Sequence, residues 1–201
     1  AGGTQACADA GVPVAGGHTI DASEPIYGLA VVGLAHPKQI KRNDDARNGD
    51  ILILGKGLGI GILGAAMNKN ELNRDGYREM VDSAVKLNSI GAELAKLPGV
   101  HGVTDVTGFG LVGHLLEICR GSRLCANLHW DKLPILPSAI DYAQRGYSTG
   151  AGARNWDSFG NEVTIKTELE DWQKNLLTDP QTSGGLLVSC PPDQASYILA
   201  L

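Results

Sequence analysis

The stretch Gly102-Val-Thr-Asp-Val-Thr-Gly-Phe-Gly110 joins a short apolar strand to the start of a helix through a glycine turn. Apolar residues at three- and four-residue spacing follow between positions 111 and 118 and predict one buried helical face. Asp105 ends the strand, and Thr107 is predicted to cap the helix. A carboxylate at this place suits Mg²⁺, and glycine amides at a helix start suit phosphate oxygens. The alternative is that Asp105 only caps the turn.

Strands and helices are mixed on both sides of this stretch, without an internal repeat. This mixture predicts an α+β fold in which helices cover a mixed sheet. Residues 146–161, which are rich in Gly, Ser and Asn, are predicted to form a long loop that is either a binding loop or a mobile segment. Strands are predicted at 12–15, 26–35 (buried), 50–54, 103–105, 124–130 and 186–190, and helices at 4–10, 62–66, 77–97, 111–120, 138–145 and 195–201.

Composition restricts the classes of function. The chain has 201 residues with 22 acidic and 17 basic side chains, giving a net charge of −5. No cluster of Lys and Arg is present, which argues against a nucleic-acid partner, since binding the phosphate backbone needs a basic face. No apolar run is long enough for a bilayer, and the first residues lack the pattern of a signal peptide. We therefore expect a cytoplasmic protein without a membrane partner.

Glycine is abundant, with 27 residues, and is concentrated in loops. The segment 59–64 matches the G-x-G-x-x-G pattern of dinucleotide sites after a strand and before a helix. Such a site also needs an acidic residue at the end of a second strand about 20 residues further on, and that region has a helical pattern instead. Tight packing of strand against helix is therefore the predicted use of these glycines.

Two further groups of residues are candidates for binding. In the segment 16–21, two glycines allow a ligand to approach the backbone beside His18 and Thr19, and His18 is predicted either to contact a nucleotide or only to shape the loop. His114 and Glu117 lie three apart on one predicted helix, a spacing that suits either a metal ion or a solvated helix face. Taken from the residues alone, the sequence predicts a phosphate-handling site built from glycine loops and Asp105.

Five blocks of sequence fall in a fixed order along nearly the whole chain. Together they resemble the selenophosphate synthetase (selenide, water dikinase) family, within the superfamily of aminoimidazole ribonucleotide synthetase. The blocks are Val14-Ala-Gly-Gly-His-Thr-Ile-Asp21, Glu24-Pro-Ile-Tyr-Gly-Leu-Ala30, Thr104-Asp-Val-Thr-Gly-Phe-Gly-Leu-Val-Gly-His114, Arg154-Asn155 and Asp179-Pro-Gln-Thr-Ser-Gly-Gly-Leu-Leu187.

The resemblance implies a reaction in which ATP, selenide and water give selenophosphate, AMP and phosphate. It implies a homodimer that binds ATP between paired N-terminal domains and a C-terminal α+β domain, with Mg²⁺ bridging the phosphates to aspartates. By position, Asp105 would be a Mg²⁺ ligand, and Gly17, His18 and Thr19 would contact the nucleotide. The pair 154–155 and the block 179–185 would form walls of the site, without an assigned role.

The resemblance also implies that the chain is a fragment. Residues 1–36 would be the C-terminal end of the N-terminal ATP-binding and dimerisation domain, and 37–201 a C-terminal domain truncated at its end. The family's catalytic Cys or selenocysteine and its neighbouring Lys would lie upstream, so no catalytic residue is predicted here. We expect this polypeptide alone not to turn over ATP. The alternatives are a non-catalytic nucleotide-binding or dimerisation module, or another ATP-using member of the superfamily.

Overall fold

A computed structural model describes residues 2–201. The chain divides into two compact units between Ile40 and Lys41. This division falls inside the polar stretch 38–48, where Asp and Asn residues precede the next strand. The assignment of residues 1–36 to an N-terminal ATP-binding domain stays a prediction.

The first unit contains helix α1 (Gly2–Asp9) and a single 3₁₀ turn at Pro37–Gln39. Residues 12–35 contain neither helix nor strand. The predicted strands at 12–15 and 26–35 are therefore wrong, because within the described residues no neighbouring strand supplies hydrogen bonds. Residues 26–35 are exposed rather than buried; Val32, for example, is 95% exposed.

The second unit is built on a three-stranded sheet in the order β1-β3-β2. Strand β1 is Ile51–Leu54, β2 is Gly102–Asp105 and β3 is Leu186–Cys190, and both pairings are antiparallel. A parallel bridge between Arg42 and Gly102 extends the sheet beyond β2. The central strand is largely buried, the loop 178–185 leads directly into it, and α9 follows it. The predicted strands at 50–54, 103–105 and 186–190 and the α+β class are confirmed.

Helices cover the sheet and carry most of the core, which includes Leu63, Leu111, Leu115, Tyr142 and Leu176. Within residues 2–201, none of them combines the length and the apolar character that crossing a membrane requires. The helices of the second unit are α2 (Ile60–Asn68), α3 (Arg74–Val85), α4 (Gly91–Leu94), α5 (Gly110–Ser122), α6 (Pro137–Gln144), α7 (Gly150–Phe159), α8 (Asp171–Leu177) and α9 (Pro192–Ala200).

The structure corrects three further predictions. The helix predicted at 77–97 ends at Val85, because Lys86 is extended (φ −65°, ψ 119°) and the chain turns away before α4. Residues 124–130 form no strand; they lead into a 3₁₀ turn. The predicted loop 146–161 contains α7, whose first turn is capped by Thr149, since its side chain accepts the amide hydrogen of Gly152.

Candidate functional site

The loop 178–185 lies where the glycine-rich segments of the second unit meet. The Asp179 carboxylate accepts hydrogen bonds from the amides of Gly61 (Oδ2 to N, 2.9 Å) and Ile62 (3.3 Å). The Gln181 side-chain oxygen accepts from the amides of residues 59 and 60, at 3.1 and 3.3 Å. The chain's own side chains thus satisfy the first amides of α2, which are the groups that a pyrophosphate would need.

Gly59 and Gly61 allow close packing, although against α6 and the loop 178–185 rather than between strand and helix as predicted, and a Cβ on Gly64 would meet nothing within 4 Å. Gly59 has φ +117°, and a Cβ there would lie 2.2 Å from the Cβ of Ala139. A Cβ on Gly61 would lie 2.4 Å from Oδ1 of Asp179. Larger residues at these two positions would push α2 away from α6 and from the loop 178–185. The G-x-G-x-x-G match therefore reflects the packing of a helix start.

Asp179 is held in an unusual electrostatic environment. It is 1% exposed, and its Oδ1 has no hydrogen-bond partner among the described residues. Burial raises the pKa of this carboxyl to about 7, although N–H groups of Gln181, Ile62 and Gly61 donate to Oδ2 and favour the anion. At neutral pH the carboxyl therefore lies between its protonated and ionised forms.

Asn155 bridges the sequence block 104–114 and the loop 178–185. Its side-chain nitrogen donates to the carbonyl oxygens of Gly108 (2.9 Å) and Thr178 (3.0 Å). One amide group on α7 thereby connects the turn after Asp105 to the loop 178–185. Arg154, its neighbour in the sequence, is exposed. The structure therefore gives Asn155 a role that the sequence block alone did not assign.

The turn after β2 is held by backbone hydrogen bonds to the same loop. The amide of Val106 donates to the carbonyl of Gly185 (2.9 Å), and the amide of Gln181 donates to the carbonyl of Thr107 (2.9 Å). Gly184 fits tightly against this turn, since a Cβ on it would lie 1.7 Å from the carbonyl oxygen of Val106. The two loops therefore behave as one packed unit.

Thr107 does not cap α5, contrary to prediction. The N-cap residue is Phe109, which makes no side-chain cap, whereas Oγ1 of Thr107 lies 3.3 Å from Nε2 of the buried His114. Nδ1 of His114 lies 3.8 Å from Glu117, and within residues 2–201 no group of three or more His, Cys, Asp or Glu side chains is placed to hold a metal ion. The imidazole of His114 thus contacts the side chain of Thr107 in the turn after Asp105.

Asp105 is exposed at the end of β2. Within the described residues its carboxylate forms neither a hydrogen bond nor an ion pair; only its backbone oxygen accepts one, from Thr104 Oγ1 at 3.2 Å. Mg²⁺ is commonly bound by one or two carboxylates together with substrate phosphates. A single free carboxylate on a rigid turn fits that donor set.

The other predicted site residues lie in the first unit. Gly17, His18 and Thr19 are exposed in a segment without regular secondary structure. A Cβ on Gly17 would meet no atom within 4 Å, so packing inside this unit does not require a glycine there. Their contact with a nucleotide stays a prediction.

Lys56 is a buried residue of the site that the sequence did not single out. It is 8% exposed, and its ammonium donates to the carbonyl oxygens of Ser183 (2.6 Å), Ser83 (3.2 Å) and Lys86. Burial lowers the pKa of Lys56, and the nearby charge of Lys86 lowers it further. The only signal in the sequence is a lysine between two glycines directly after a strand.

An open cavity of about 630 Å³ lies beside the loop 178–185, between α2, α3 and the start of α7. Its volume is in the range of small-molecule sites. The wall includes Gly61, Gly64, Thr149, Gly150 and Thr182, while Asp105 is not part of the lining. The start of α2, the start of α7 and the loop 178–185, through Thr182, thus each contribute to the wall of the cavity.

Comparison with known proteins defines the class. The family model for the C-terminal domain of AIR synthase related proteins matches residues 47–201. This chain belongs to that family.

The similar curated proteins are more specific. The chain is 59% identical over 198 residues to the selenide, water dikinase of Pseudomonas straminea, a match that covers 98% of this chain and 56% of that protein. It is 55% identical over 199 residues to the selenide, water dikinase of Burkholderia orbicola (strain MC0-3), covering 99% and 56%. The resemblance described from the sequence blocks is confirmed. The chain spans about half the length of the curated relatives it matches.

Solved structures support the fold. The thiamine-monophosphate kinase of Stenotrophomonas maltophilia K279a matches with a TM-score of 0.53 and 20% identity, over 81% of this chain and 46% of that chain. The hydrogenase maturation protein HypE in complex with ATP matches with the same TM-score and identity, over 80% and 39%. At this level of identity the likeness concerns the fold alone.

Proposed function

We propose that this chain forms part of a selenide, water dikinase, which converts ATP, selenide and water into selenophosphate, AMP and phosphate. The observation that carries this proposal is the 59% identity over 198 residues to a protein of that name. The ATP bound to HypE, a protein of similar fold, is consistent with a nucleotide as substrate. The whole enzyme would be a cytoplasmic homodimer.

In this proposal Asp105 is a ligand of Mg²⁺ on the ATP phosphates. Its carboxylate is exposed and free of protein partners, and it stands on a turn that Val106, Asn155 and Gln181 hold in place. Phosphoryl transfer depends mainly on positioning and on neutralising charge on the phosphate oxygens, and bound Mg²⁺ supplies that neutralisation. The turn contributes by presenting the carboxylate in one orientation before ATP binds.

Gly17, His18 and Thr19 would contact the nucleotide in the assembled enzyme. A glycine without packing neighbours leaves its backbone open to a ligand, and the imidazole and hydroxyl beside it can form hydrogen bonds. We place these contacts in the first unit and the metal ligand in the second. Catalysis would require both, and we expect no selenide-dependent release of AMP from the 201-residue chain alone.

Calorimetric titration of the chain with ATP, in the presence and absence of Mg²⁺, tests the role of Asp105. We expect Asp105→Asn to weaken the Mg²⁺-dependent part of ATP binding by at least about tenfold, because a neutral amide is a poor ligand for a hard cation. Asp131→Asn, an exposed aspartate in another turn, is the matched control. Equal affinity of the wild type and Asp105→Asn would refute the assignment.

A non-catalytic dimerisation module is the second candidate. The observation that favours it is the exposed apolar chain at 26–35, where Val31 and Val32 are 82% and 95% exposed. Exposed apolar segments favour association with another chain. Sedimentation of the wild type against Val32→Lys reports association, and the ATP titration separates the two candidates: a dimer that Val32→Lys dissociates and that binds no ATP supports the module, and a monomeric wild type excludes it.

A further inference from the structure

Lys56 is a buried charge without an acidic partner. Among residues 2–201 its ammonium forms no ion pair, and all its acceptors are neutral oxygens: three carbonyls and Oγ of Ser183, at 3.3 Å. A buried ammonium is costly unless its hydrogens are all accepted, so an apolar side chain would fill the same space more cheaply. The charge must therefore serve the geometry of the groups that it binds.

Those acceptors come from two segments far apart in the sequence. The carbonyls of Ser83 and Lys86 belong to the end of α3 and the residue that caps it, where the helix dipole favours a cation. Ser183 belongs to the loop 178–185 and has φ +51°, a left-handed conformation that disfavours a non-glycine residue. The ammonium binds both the carbonyl and the hydroxyl of Ser183 and so holds the residue in this conformation.

The residues that follow Ser183 contact the turn after Asp105. Gly184, its neighbour, packs against the carbonyl of Val106, and the carbonyl of Gly185 accepts the Val106 amide hydrogen at 2.9 Å. In the sheet register, Asp105 is paired with Leu186. Gly184 and Gly185 therefore separate Ser183, which Lys56 contacts, from Leu186, whose backbone pairs with Asp105 and so sets the direction of its carboxylate.

We propose that Lys56 is a positioning residue for Asp105: its ammonium fixes the turn 183–185 against Val106, and that turn orients the carboxylate. The part of this proposal that concerns metal binding rests on the proposed function, whereas the coupling of Lys56 to Val106 does not. Lys56 itself contacts no substrate in this proposal, since it is buried and its ammonium donates to protein oxygens.

The test is removal and chemical replacement of the ammonium. Lys56→Ala deletes three methylenes and the ammonium, and n-propylammonium supplies the same atoms; n-propanol is a neutral molecule of similar size. We measure amide hydrogen exchange at Val106 and Mg²⁺-dependent ATP affinity. We expect exchange at Val106 to rise at least about tenfold and affinity to fall about 10- to 100-fold, the usual effect of losing an outer-shell contact.

The amine should restore both properties, and the alcohol should restore neither. Lys41→Ala is the matched control, because Nζ of Lys41 also binds two carbonyls, of Leu97 (2.7 Å) and Val100 (2.9 Å), before the opposite end of β2. It should leave both properties unchanged. If Lys56→Ala does not fold without the amine, Lys56→Met keeps the packing and gives the same comparison of exchange and affinity.

Three results would overturn the proposal: exchange at Val106 unchanged in both Lys56 variants, equal rescue by n-propanol, or an equal effect of Lys41→Ala. Absence of ATP binding by the wild-type chain would count against Asp105 as a metal ligand within this chain and would leave the exchange measurement as the test of Lys56. Faster exchange with unchanged ATP affinity would show that the turn is held by Lys56 but does not position the metal ligand, which also contradicts the proposal.

Discussion

The Asp179 carboxylate accepts the amide hydrogen of Gly61 across 118 positions of sequence, with an oxygen-to-nitrogen distance of 2.9 Å. This contact closes the start of α2 with an acid from the loop 178–185. Because Gln181 from the same loop binds the two preceding amides, one short segment satisfies the whole helix start. The glycine segment 59–64 and the sequence block 179–187 therefore form one structural feature.

The pKa of Asp179 predicts a pH-dependent stability. Its pKa is about 7 in the folded protein, raised from 3.8, so the folded state holds this proton more tightly than the unfolded state. The contribution to the free energy of unfolding is therefore greatest below about pH 4 and is lost as pH rises through about 7, by up to about 4 kcal/mol. Asp179→Asn keeps an acceptor for the amides and removes the titration.

Urea unfolding of both proteins between about pH 5 and pH 8 checks this expectation. The stability of the wild type should fall relative to Asp179→Asn across that range, with the sign that linkage requires. Asp157→Asn, an exposed aspartate on α7, should follow the wild type. A constant difference between Asp179→Asn and the wild type would contradict the prediction.

Two glycines should respond in opposite ways to alanine. At Gly184 the added Cβ would lie 1.7 Å from the Val106 carbonyl oxygen, so the loops must separate, and Gly184→Ala should lower the free energy of unfolding by about 1–3 kcal/mol. At Gly64, inside α2, the Cβ meets nothing within 4 Å, and Gly64→Ala should raise it by up to about 1 kcal/mol. Equal effects in thermal or urea unfolding would show that Gly184 does not pack tightly against Val106.

Asn155 should contribute to stability through its two carbonyl partners. Asn155→Ala leaves the carbonyl of the buried Thr178 without its side-chain donor, and the expected loss is about 1–3 kcal/mol in the free energy of unfolding. Asn155→Asp should lose at least as much, since a carboxylate would face two carbonyl oxygens. Asn127→Ala, at an exposed position, should change stability little. An unchanged free energy of unfolding in Asn155→Ala would exclude the bridging role.

The second unit should fold without the first. Every hydrophobic residue that is buried within residues 2–201 lies between Leu58 and Ile198. A chain of residues 41–201 should therefore unfold cooperatively, with an unfolding free energy within about 1 kcal/mol of the 201-residue chain. Circular dichroism during urea unfolding compares the two. A broad or absent transition for residues 41–201 would contradict this expectation.

Local patterns were sufficient for several elements. Alternating or continuous apolar residues predicted β1, β2 and β3, and the apolar spacing after Gly110 predicted α5. The signals for α7 and α8 were also present, in the cap residue Thr149 and in the capping box of Glu170 and Gln173. At 146–161 the many Gly, Ser and Asn residues favoured the prediction of a loop over the signal of Thr149. A cap residue followed by helix-forming residues predicts a helix.

Distant contacts decided the remainder. The periodic pattern 77–97 is helical by local propensity, but Lys56 takes the carbonyls at the end of α3 and Asn88 donates to Gly184, so the chain leaves the helix there. A strand needs a neighbour that accepts its hydrogen bonds, and residues 26–35 have none among the described residues, whatever their apolar content. Both cases depend on partners that no local window contains.

By itself, the sequence determined the α+β class, the family and the position of Asp105 at the end of a strand, because composition, short-range periodicity and ordered motifs express these directly. Only the tertiary structure decided that Asp179 and Gln181 close α2, that Asn155 joins two loops and that Lys56 holds the turn beside Val106. Each of these contacts joins residues far apart in the chain. Their energies depend on burial and on the direction of individual hydrogen bonds, which arise only once the strands and helices have packed together.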